Sequence, residues 1–390
     1  MENIYLVAAI WIGMALVASL VSIRLGISVA LIEITVGIIA GNLFTIPEPE
    51  WVVFLASVGA VALTFLAGVE IDTEVLRNKL VETLLIGFLS FLLPFLGAAA
   101  WAYWVVGWSA DASLITGIAL STTSVAVVYA VMLDTGLNRS EFGKVILAAC
   151  FVTDLGTVAA LGLIFAGFGI EMVVFIAATT GAMVILPRFT RWFFRRYGER
   201  VSEPELKYLL FILLGLGALA SIVGSEAVLP AYLVGIVLAD TFQSREDLTR
   251  RMRTIAFTFL TPFYFIRAGL FVSIGALAAG FGLFVVFFLV KVIAKFIGVM
   301  PVTLAYGYSF RDSMYTTLLM STGLTFGTIS ALYGLDNGLI SQQQYTILVS
   351  VVIATAVVPT LIAQRFFLPT DIIERISWTL AITLHSKPRL

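Results

Sequence analysis

Long apolar segments separated by short polar loops run through almost the whole chain of 390 residues. An α-helix needs about 20 mostly apolar residues to cross the hydrocarbon core of a bilayer. We therefore expect an all-α polytopic membrane protein, with a membrane domain at residues 1–365 and a cytoplasmic or interfacial tail at residues 366–390. The pattern predicts about thirteen transmembrane helices, at residues 3–22, 28–46, 51–71, 81–107, 112–134, 143–168, 170–187, 207–224, 227–242, 254–271, 275–303, 312–334 and 343–364.

The basic residues are distributed unevenly among the loops. Of the 23 Lys and Arg residues, 20 lie on alternate connections between the apolar segments, whereas Arg267, Lys291 and Lys295 lie inside segments. Lys and Arg near the ends of transmembrane helices are retained on the cytoplasmic side. The distribution therefore predicts a protein of the inner cell membrane, with its N-terminus outside and its C-terminus in the cytoplasm.

Composition supports the same class and argues against several others. Hydrophobic residues make up 60% of the chain and charged residues 12%, against about 25% charged residues in soluble domains. The mean hydropathy is +1.06, and a net charge of −1 gives no sign of a nucleic-acid partner. One cysteine, Cys150, and one histidine, His385, provide no catalytic pair and no metal cluster within the segments. We therefore expect neither an enzyme nor a cofactor, but a protein that works in the lipid bilayer.

Polar residues interrupt the fifth and sixth apolar segments at mid-depth. Four consecutive hydroxyl residues occupy positions 121–124, and Thr153 directly precedes Asp154. A single Ser or Thr in a helix is usually explained by packing, because its hydroxyl bonds back to a carbonyl of the same helix. Four in a row favour a locally unwound helix, and a carboxylate at membrane depth is expensive unless it is paired or functional. Asp154 is therefore either half of a static ion pair or an exchangeable site for H⁺ or a monovalent cation.

The twelfth segment contains a similar interruption. Ser321, Thr322 and Thr325 lie around Gly323 and Gly327 at its centre. The fifth segment enters the membrane from outside and the twelfth from the cytoplasm, which are the opposite orientations that an inverted repeat requires. Discontinuous helices at corresponding places in two halves of a transporter point to a binding site at the membrane midplane. We therefore predict two crossed discontinuous helices, with Ser321, Thr322 and Thr325 as the partners of the interrupted fifth segment.

Three cations at membrane depth need partners. Lys291 and Lys295 lie one turn apart on one helical face, separated by about 6 Å along the helix axis. Lys291 is central, and it is either a static brace of the crossed helices or a competitor that occupies the carboxylate when no substrate cation is bound. Lys295 either stays inside or extends to the cytoplasmic interface. Arg267 is expected to form a structural ion pair, for which Glu33 and Glu70 are the candidates.

At these motifs the chain resembles a known family, the monovalent cation/proton antiporters of the second type. That family includes bacterial Na⁺/H⁺ antiporters and Kef-type K⁺/H⁺ antiporters. The resemblance runs from about Ser28 to Arg365, and it depends on the order of several segments rather than on any one of them. These segments are ISVALIEITVGIIAGNLF, VGAVALTFLAGVEID, LSTTSVAVVYAVMLDTGLNRSEFGKVILAACFVTD, VLPAYLVGIVLAD, TPFYFIRAGL and LVKVIAKFIG.

The resemblance implies a fold, a mechanism and a set of site residues. A core domain, approximately residues 51–168 and 254–334, would contain the crossed helices, and the other helices would form a dimerisation scaffold. The protein would be a homodimer with elevator-like alternating access. Asp154 matches the cation- and proton-binding aspartate of the family, and Lys291 matches the lysine of a late core helix. The implied cation- and proton-binding set is Asp154, Thr153, Thr122, Thr123 and Ser124.

The chain departs from the family at two places. Thr153 stands where relatives usually carry Asp, Asn or Gln before the aspartate, and STGLTFGT replaces a charged Arg-Gly-Glu-like element in the twelfth segment. With a single carboxylate, we expect a secondary active antiporter that exchanges one Na⁺ or K⁺ for one H⁺ without net charge movement. Two other functions stay open, a sodium-coupled organic-anion symporter of similar fold and a Kef-like K⁺ efflux channel.

Overall fold

Helices account for almost all of the structure, a computed structural model that describes residues 4–25, 29–69, 78–165, 170–222 and 227–369. Within these residues there are seventeen α-helices and no strand. Numbered in chain order, they are α1 (Ile4–Leu25), α2 (Val29–Leu43), α3 (Glu50–Val69), α4 (Leu80–Ala100), α5 (Ala110–Ser121), α6 (Val125–Thr135), α7 (Glu141–Ile164), α8 (Ile170–Tyr197), α9 (Pro204–Ile222), α10 (Val228–Gln243), α11 (Glu246–Ile255), α12 (Thr261–Leu270), α13 (Ile274–Ala279), α14 (Phe281–Ala305), α15 (Phe310–Met320), α16 (Thr325–Asp336) and α17 (Gln342–Phe366).

The helices confirm the prediction of an all-α polytopic membrane protein. Nine helical segments of the described residues are long and apolar enough to cross a membrane, and α2, α5 and α10 are shorter apolar helices. Each predicted segment coincides with a helix or a pair of helices. The number thirteen stays a prediction, because five of these segments contain no uninterrupted helix of spanning length. Most of the predicted tail, residues 366–390, lies outside the described residues.

Close helix contacts at glycines characterise the first of two compact units. α3 packs against α10 with Gly68 beside Gly235, and α2 packs against α12 with Gly37 beside Gly269. A Cβ atom at any of these four positions would overlap backbone atoms of the facing helix. Small residues let helix backbones approach closely inside a membrane, where dispersion contacts drive helix association. The unit comprises Met1–Thr73, Val158–Ala279 and Gln342–Thr346.

The second unit contains all of the predicted cation site. In this unit α4 packs against α5 and α14, and α5 packs against α16. A Cβ on Gly117 of α5 would lie only 2.6 Å from the backbone oxygen of Phe95, so α5 lies directly against α4. The unit comprises Glu74–Thr157, Gly280–Ser341 and Ile347–Leu390.

The predicted core domain and the second unit overlap only in part. Of the described residues, 51–69, 158–165 and 254–279 belong to the predicted core but pack in the first unit. The physical reason for α3 and α12 is the set of glycine contacts with α10 and α2, which the linear sequence does not reveal. The assignment of one unit as the transporting core and of the other as the dimerisation scaffold stays a prediction.

Candidate functional site

Two helical spans of the second unit are interrupted at the predicted places. Residues 122–124 separate α5 from α6, and residues 321–324 separate α15 from α16. Thr122 has extended backbone angles, φ −63° and ψ 152°. The hydroxyl of Ser124 accepts a hydrogen bond from the backbone N–H of Val127 at 3.4 Å and so caps α6. Ser and Thr side chains favour such helix ends because they bond to local backbone groups in place of the helical ladder.

The two interruptions contact each other, as the prediction of a crossed pair requires. The backbone N–H of Ser124 donates to the backbone oxygen of Thr322 at 3.2 Å. The hydroxyl of Thr123 donates to the backbone oxygen of Met320 at 2.9 Å. These bonds satisfy backbone groups that the broken helices leave without an intrahelical partner, which is a requirement at membrane depth.

The three predicted partner residues of the twelfth segment have different contacts. Thr322 joins the two interruptions through its backbone oxygen. The hydroxyl of Ser321 instead donates within its own helix, to a carbonyl of the last turn of α15 at 2.7 Å. Thr325 is the first residue of α16. All three side chains are buried, so the interruption is enclosed within the unit.

Lys295 is a buried cation at the interruption between α5 and α6. Its ammonium donates to the Ser90 hydroxyl at 2.9 Å, to the backbone oxygen of Ser121 at 2.7 Å and to the Thr123 hydroxyl at 3.0 Å. Because an ammonium has three N–H groups, its donors are all used. Ser121 ends α5, where the carbonyl groups carry partial negative charge. Of the two alternatives for Lys295, the structure therefore selects the one that keeps it inside.

Lys291 occupies the other interruption, between α15 and α16. It is fully buried, and its ammonium donates to the Thr355 hydroxyl of α17 at 3.2 Å. A Cβ atom on Gly323 would overlap the Lys291 Nζ atom, so the absence of a side chain there leaves room for the ammonium. The two lysines share one helical face, yet Lys295 is hydrogen-bonded at the first interruption and Lys291 lies against Gly323 at the second.

Asp154 is a buried carboxylate of this unit. It is 1% exposed, and neither carboxylate oxygen accepts a hydrogen bond from any described residue. Of the two lysines, Lys295 is the one whose charge acts on Asp154. The hydroxyl of Thr153 is directed elsewhere, to the backbone oxygens of Gly87 and Ala149, both at 3.1 Å. A buried carboxylate without donors is unfavourable in its charged form, so binding of a proton or a metal cation would stabilise it.

Arg267 forms an ion pair in the first unit that the sequence did not reveal. Its Nε atom donates to the Glu48 carboxylate at 2.5 Å, and its guanidinium lies over the Phe271 ring at 5.1 Å. Glu48 lies in the connection between α2 and α3, outside the predicted spans. Of the two expected partners, Glu33 is buried with one carboxylate oxygen unbonded, and Glu70 lies outside the described residues.

Ser90 and Thr355 are site residues that the sequence analysis missed. Each is a hydroxyl residue in a mostly apolar helix, in α4 and α17 respectively, and each accepts a hydrogen bond from a buried lysine. The sequence signal for one such residue is weak, because helix packing explains most of them. What identifies these two residues is the hydrogen bond between the hydroxyl and a lysine on another helix. That contact can be seen only in the tertiary structure.

The fold of the chain is similar to that of a solved transporter. A structure of the sodium proton antiporter MjNhaP1 from Methanocaldococcus jannaschii at pH 8 aligns with a TM-score of 0.70 and 16% sequence identity. The alignment covers 92% of this chain and 96% of that one. At this identity the likeness concerns the fold alone.

Sequence comparisons identify the family. The "Probable Na(+)/H(+) antiporter 3" of Methanocaldococcus jannaschii is 24% identical over 347 residues, covering 85% of this chain and 88% of that protein. The "Na(+)/H(+)-K(+) antiporter GerN" of Bacillus cereus is 25% identical over 379 residues, covering 94% and 96%. The family described as "Sodium/hydrogen exchanger, transmembrane" matches residues 12–368. With nearly its whole length inside that match, the chain belongs to the transmembrane sodium/hydrogen exchanger family.

Proposed function

We propose that this protein exchanges Na⁺ or K⁺ for H⁺ across the membrane at Asp154. The observation that carries the proposal is the Asp154 carboxylate, which is buried in the unit of the crossed interruptions and accepts no hydrogen bond from a described residue. Such a group binds either one proton or one dehydrated alkali cation, and the two exclude each other. Exclusive occupancy is sufficient for exchange if the site moves from one side of the membrane to the other only while Asp154 is neutralised by a proton or by a cation.

The hydroxyl-rich interruption supplies the other oxygen ligands in this proposal. Thr122, Thr123 and Ser124, with the backbone carbonyls of the unwound segment, provide hard oxygen donors of the kind that alkali cations prefer. Thr153 contributes less than the sequence predicts, since its hydroxyl proton is shared between two backbone oxygens. The unit would carry the site by an elevator-like movement, as the resemblance implies.

The competing cation in this mechanism is Lys295 rather than Lys291. Motif position favours Lys291 for that role, but the lysine whose charge acts on Asp154 is Lys295. The three hydrogen bonds of Lys295 also hold it at the first interruption. In this arrangement Lys295 balances the negative charge of Asp154 when the site is empty. When the substrate cation binds, the cation balances that charge instead.

We expect the exchange to be electroneutral. Asp154 is the one carboxylate in the proposed site, so one cation replaces one proton on each cycle. The test uses proteoliposomes with an entrapped pH dye and a voltage-sensitive dye, supplied with Na⁺, K⁺ or Li⁺ over a range of pH. A cation gradient should drive proton movement without any voltage signal, and empty liposomes serve as the control. A membrane potential generated by the purified protein alone would contradict one-for-one exchange.

The proposed cellular setting is the inner membrane, as a homodimer with its N-terminus outside and its C-terminus in the cytoplasm. The single native cysteine, Cys150, is buried, so a cysteine introduced at either terminus would report its own accessibility. A membrane-impermeant maleimide added to intact cells should label Glu2→Cys but not Lys387→Cys. Labelling of Lys387→Cys alone would reverse the orientation. Chemical crosslinking in the membrane should capture a two-chain species, and its absence would contradict the dimer.

A further inference from the structure

Lys291 is a buried cation that the proposed exchange does not use. Its ammonium has three N–H groups, yet among the described residues it has one acceptor, the Thr355 hydroxyl. Burial and the positive charge of Lys295 one turn away both oppose its charge, and no described carboxylate offsets them. A buried charge without a counter-ion is costly, so the ammonium depends on the oxygen atoms around it.

The surroundings of the Lys291 ammonium have the character of a cation site. A Cβ on Gly323 would overlap Nζ, and it would lie 3.1 Å from the Thr122 hydroxyl oxygen and 3.3 Å from the Thr355 hydroxyl oxygen. Hydroxyl groups of the first interruption and of α17 therefore border the space that the ammonium fills. The site also adjoins the C-terminal end of α15, where carbonyl groups carry partial negative charge.

The two interruptions thus each hold a lysine ammonium among oxygen atoms. Lys295 satisfies all its donors, whereas Lys291 satisfies one and depends on the polarity of its surroundings. An ammonium group and a K⁺ or Rb⁺ ion carry the same charge and have similar size, and both bind hydroxyl and carbonyl oxygens. We propose that Lys291 is a tethered cation that fills a second monovalent-cation site at Gly323, and that shortening its side chain opens this site to a free K⁺-sized ion.

This inference goes beyond the proposed exchange. In the native chain the tethered ammonium restricts free cations to Asp154, and so it limits each chain to one substrate cation. The second site contains no described carboxylate, so it does not exchange a proton and has no part in the cycle. Binding at this site is therefore independent of the role of Asp154, and it is measured with Asp154 neutralised.

The experiment counts ⁸⁶Rb⁺ ions bound at equilibrium to the purified full chain in lipid nanodiscs. Asp154→Asn should bind none, because its carboxylate is lost and Lys291 still fills the second site. The double variant Asp154→Asn/Lys291→Ala should bind one Rb⁺ per chain. The matched control Asp154→Asn/Lys291→Met should bind none, since the methionine side chain fills the same space without leaving a polar cavity.

Two results would overturn the inference. One is a folded Asp154→Asn/Lys291→Ala protein, monodisperse in size-exclusion chromatography, that binds no Rb⁺. The other is equal Rb⁺ binding by the Ala and Met double variants, which would place the ion elsewhere. If the double variant does not fold, Lys291→Ala with Asp154 intact decides the question: two Rb⁺ per chain support the second site, and one Rb⁺ rejects it. Retained exchange in Asp154→Asn would refute the proposed function without affecting this count.

Discussion

Replacement of Asp154 with Asn is expected to abolish cation-driven proton movement in proteoliposomes. Asparagine keeps the size of the side chain but neither ionises nor balances the charge of a dehydrated cation. The substitution should not destabilise the fold, because it removes a buried carboxylate that has no described hydrogen-bond donor. On that ground we expect the free energy of unfolding to stay unchanged or to rise by roughly 1–3 kcal/mol. Loss of exchange in a protein of undiminished thermal stability would assign the effect to function rather than folding.

The matched control for this variant is Asp111→Asn. Asp111 lies in the first turn of α5, and it is exposed, at the end of the helix remote from the interruption. A change in exchange at this position would arise from surface charge alone, and we expect none beyond a small shift in apparent cation affinity. Cation-driven proton flux that survives Asp154→Asn, measured with the same pH dye, would refute the proposed site.

Lys295→Met is expected to destabilise the protein far more than Lys291→Met. Removal of the Lys295 ammonium leaves three oxygen atoms without their donor, on Ser90, Ser121 and Thr123. Each unsatisfied buried group costs about 1–3 kcal/mol, and Asp154 also loses its neighbouring positive charge. Lys291→Met loses one hydrogen bond and removes a buried charge that has no described counter-ion, so its stability should change little or increase.

Thermal unfolding of the two purified variants, followed by intrinsic fluorescence in the same detergent, checks this order. The melting temperature of Lys295→Met should lie well below that of the native protein, and that of Lys291→Met close to it. The reversed order would show that Lys291 is the main brace of the crossed helices. The Lys295→Met variant should also lose exchange when it is assayed at a lower temperature, at which it stays folded. The reason is that the empty Asp154 carboxylate then has no balancing charge.

The interruptions were predictable from sequence because local chemistry produces them. Positions 121–124 hold four hydroxyl residues, and Ser124 caps the helix that follows the interruption. A glycine at 323, among hydroxyl residues, has the same effect in the twelfth segment. The helix-breaking effects of hydroxyl and glycine residues act over a few residues, so they can be predicted from the linear sequence. Asp154 was predictable for a different reason, since a lone carboxylate in an apolar segment is rare without a function.

The pairing of the charged groups was not predictable in the same way. Helical periodicity places Lys291 and Lys295 on one face of α14, but it does not determine which oxygen atoms each ammonium reaches. That choice depends on how α4, α5 and α17 lie around α14. In the proposed mechanism, Lys295 takes the competing role for which motif position favours Lys291. The partner of Arg267 was missed for the same reason, because Glu48 lies 219 residues away in sequence.

The sequence by itself determined the membrane class, the approximate helical segments, the two interruptions and Asp154 as the candidate carboxylate. Each of these follows from hydropathy or from hydroxyl and glycine chemistry within a short window of the chain. Only the tertiary structure decided that Lys295 is the cation beside Asp154, that Lys291 fills the space at Gly323, and that α3 and α12 pack in the first unit. Those features depend on contacts between distant segments, where a difference of a few ångströms selects the partner.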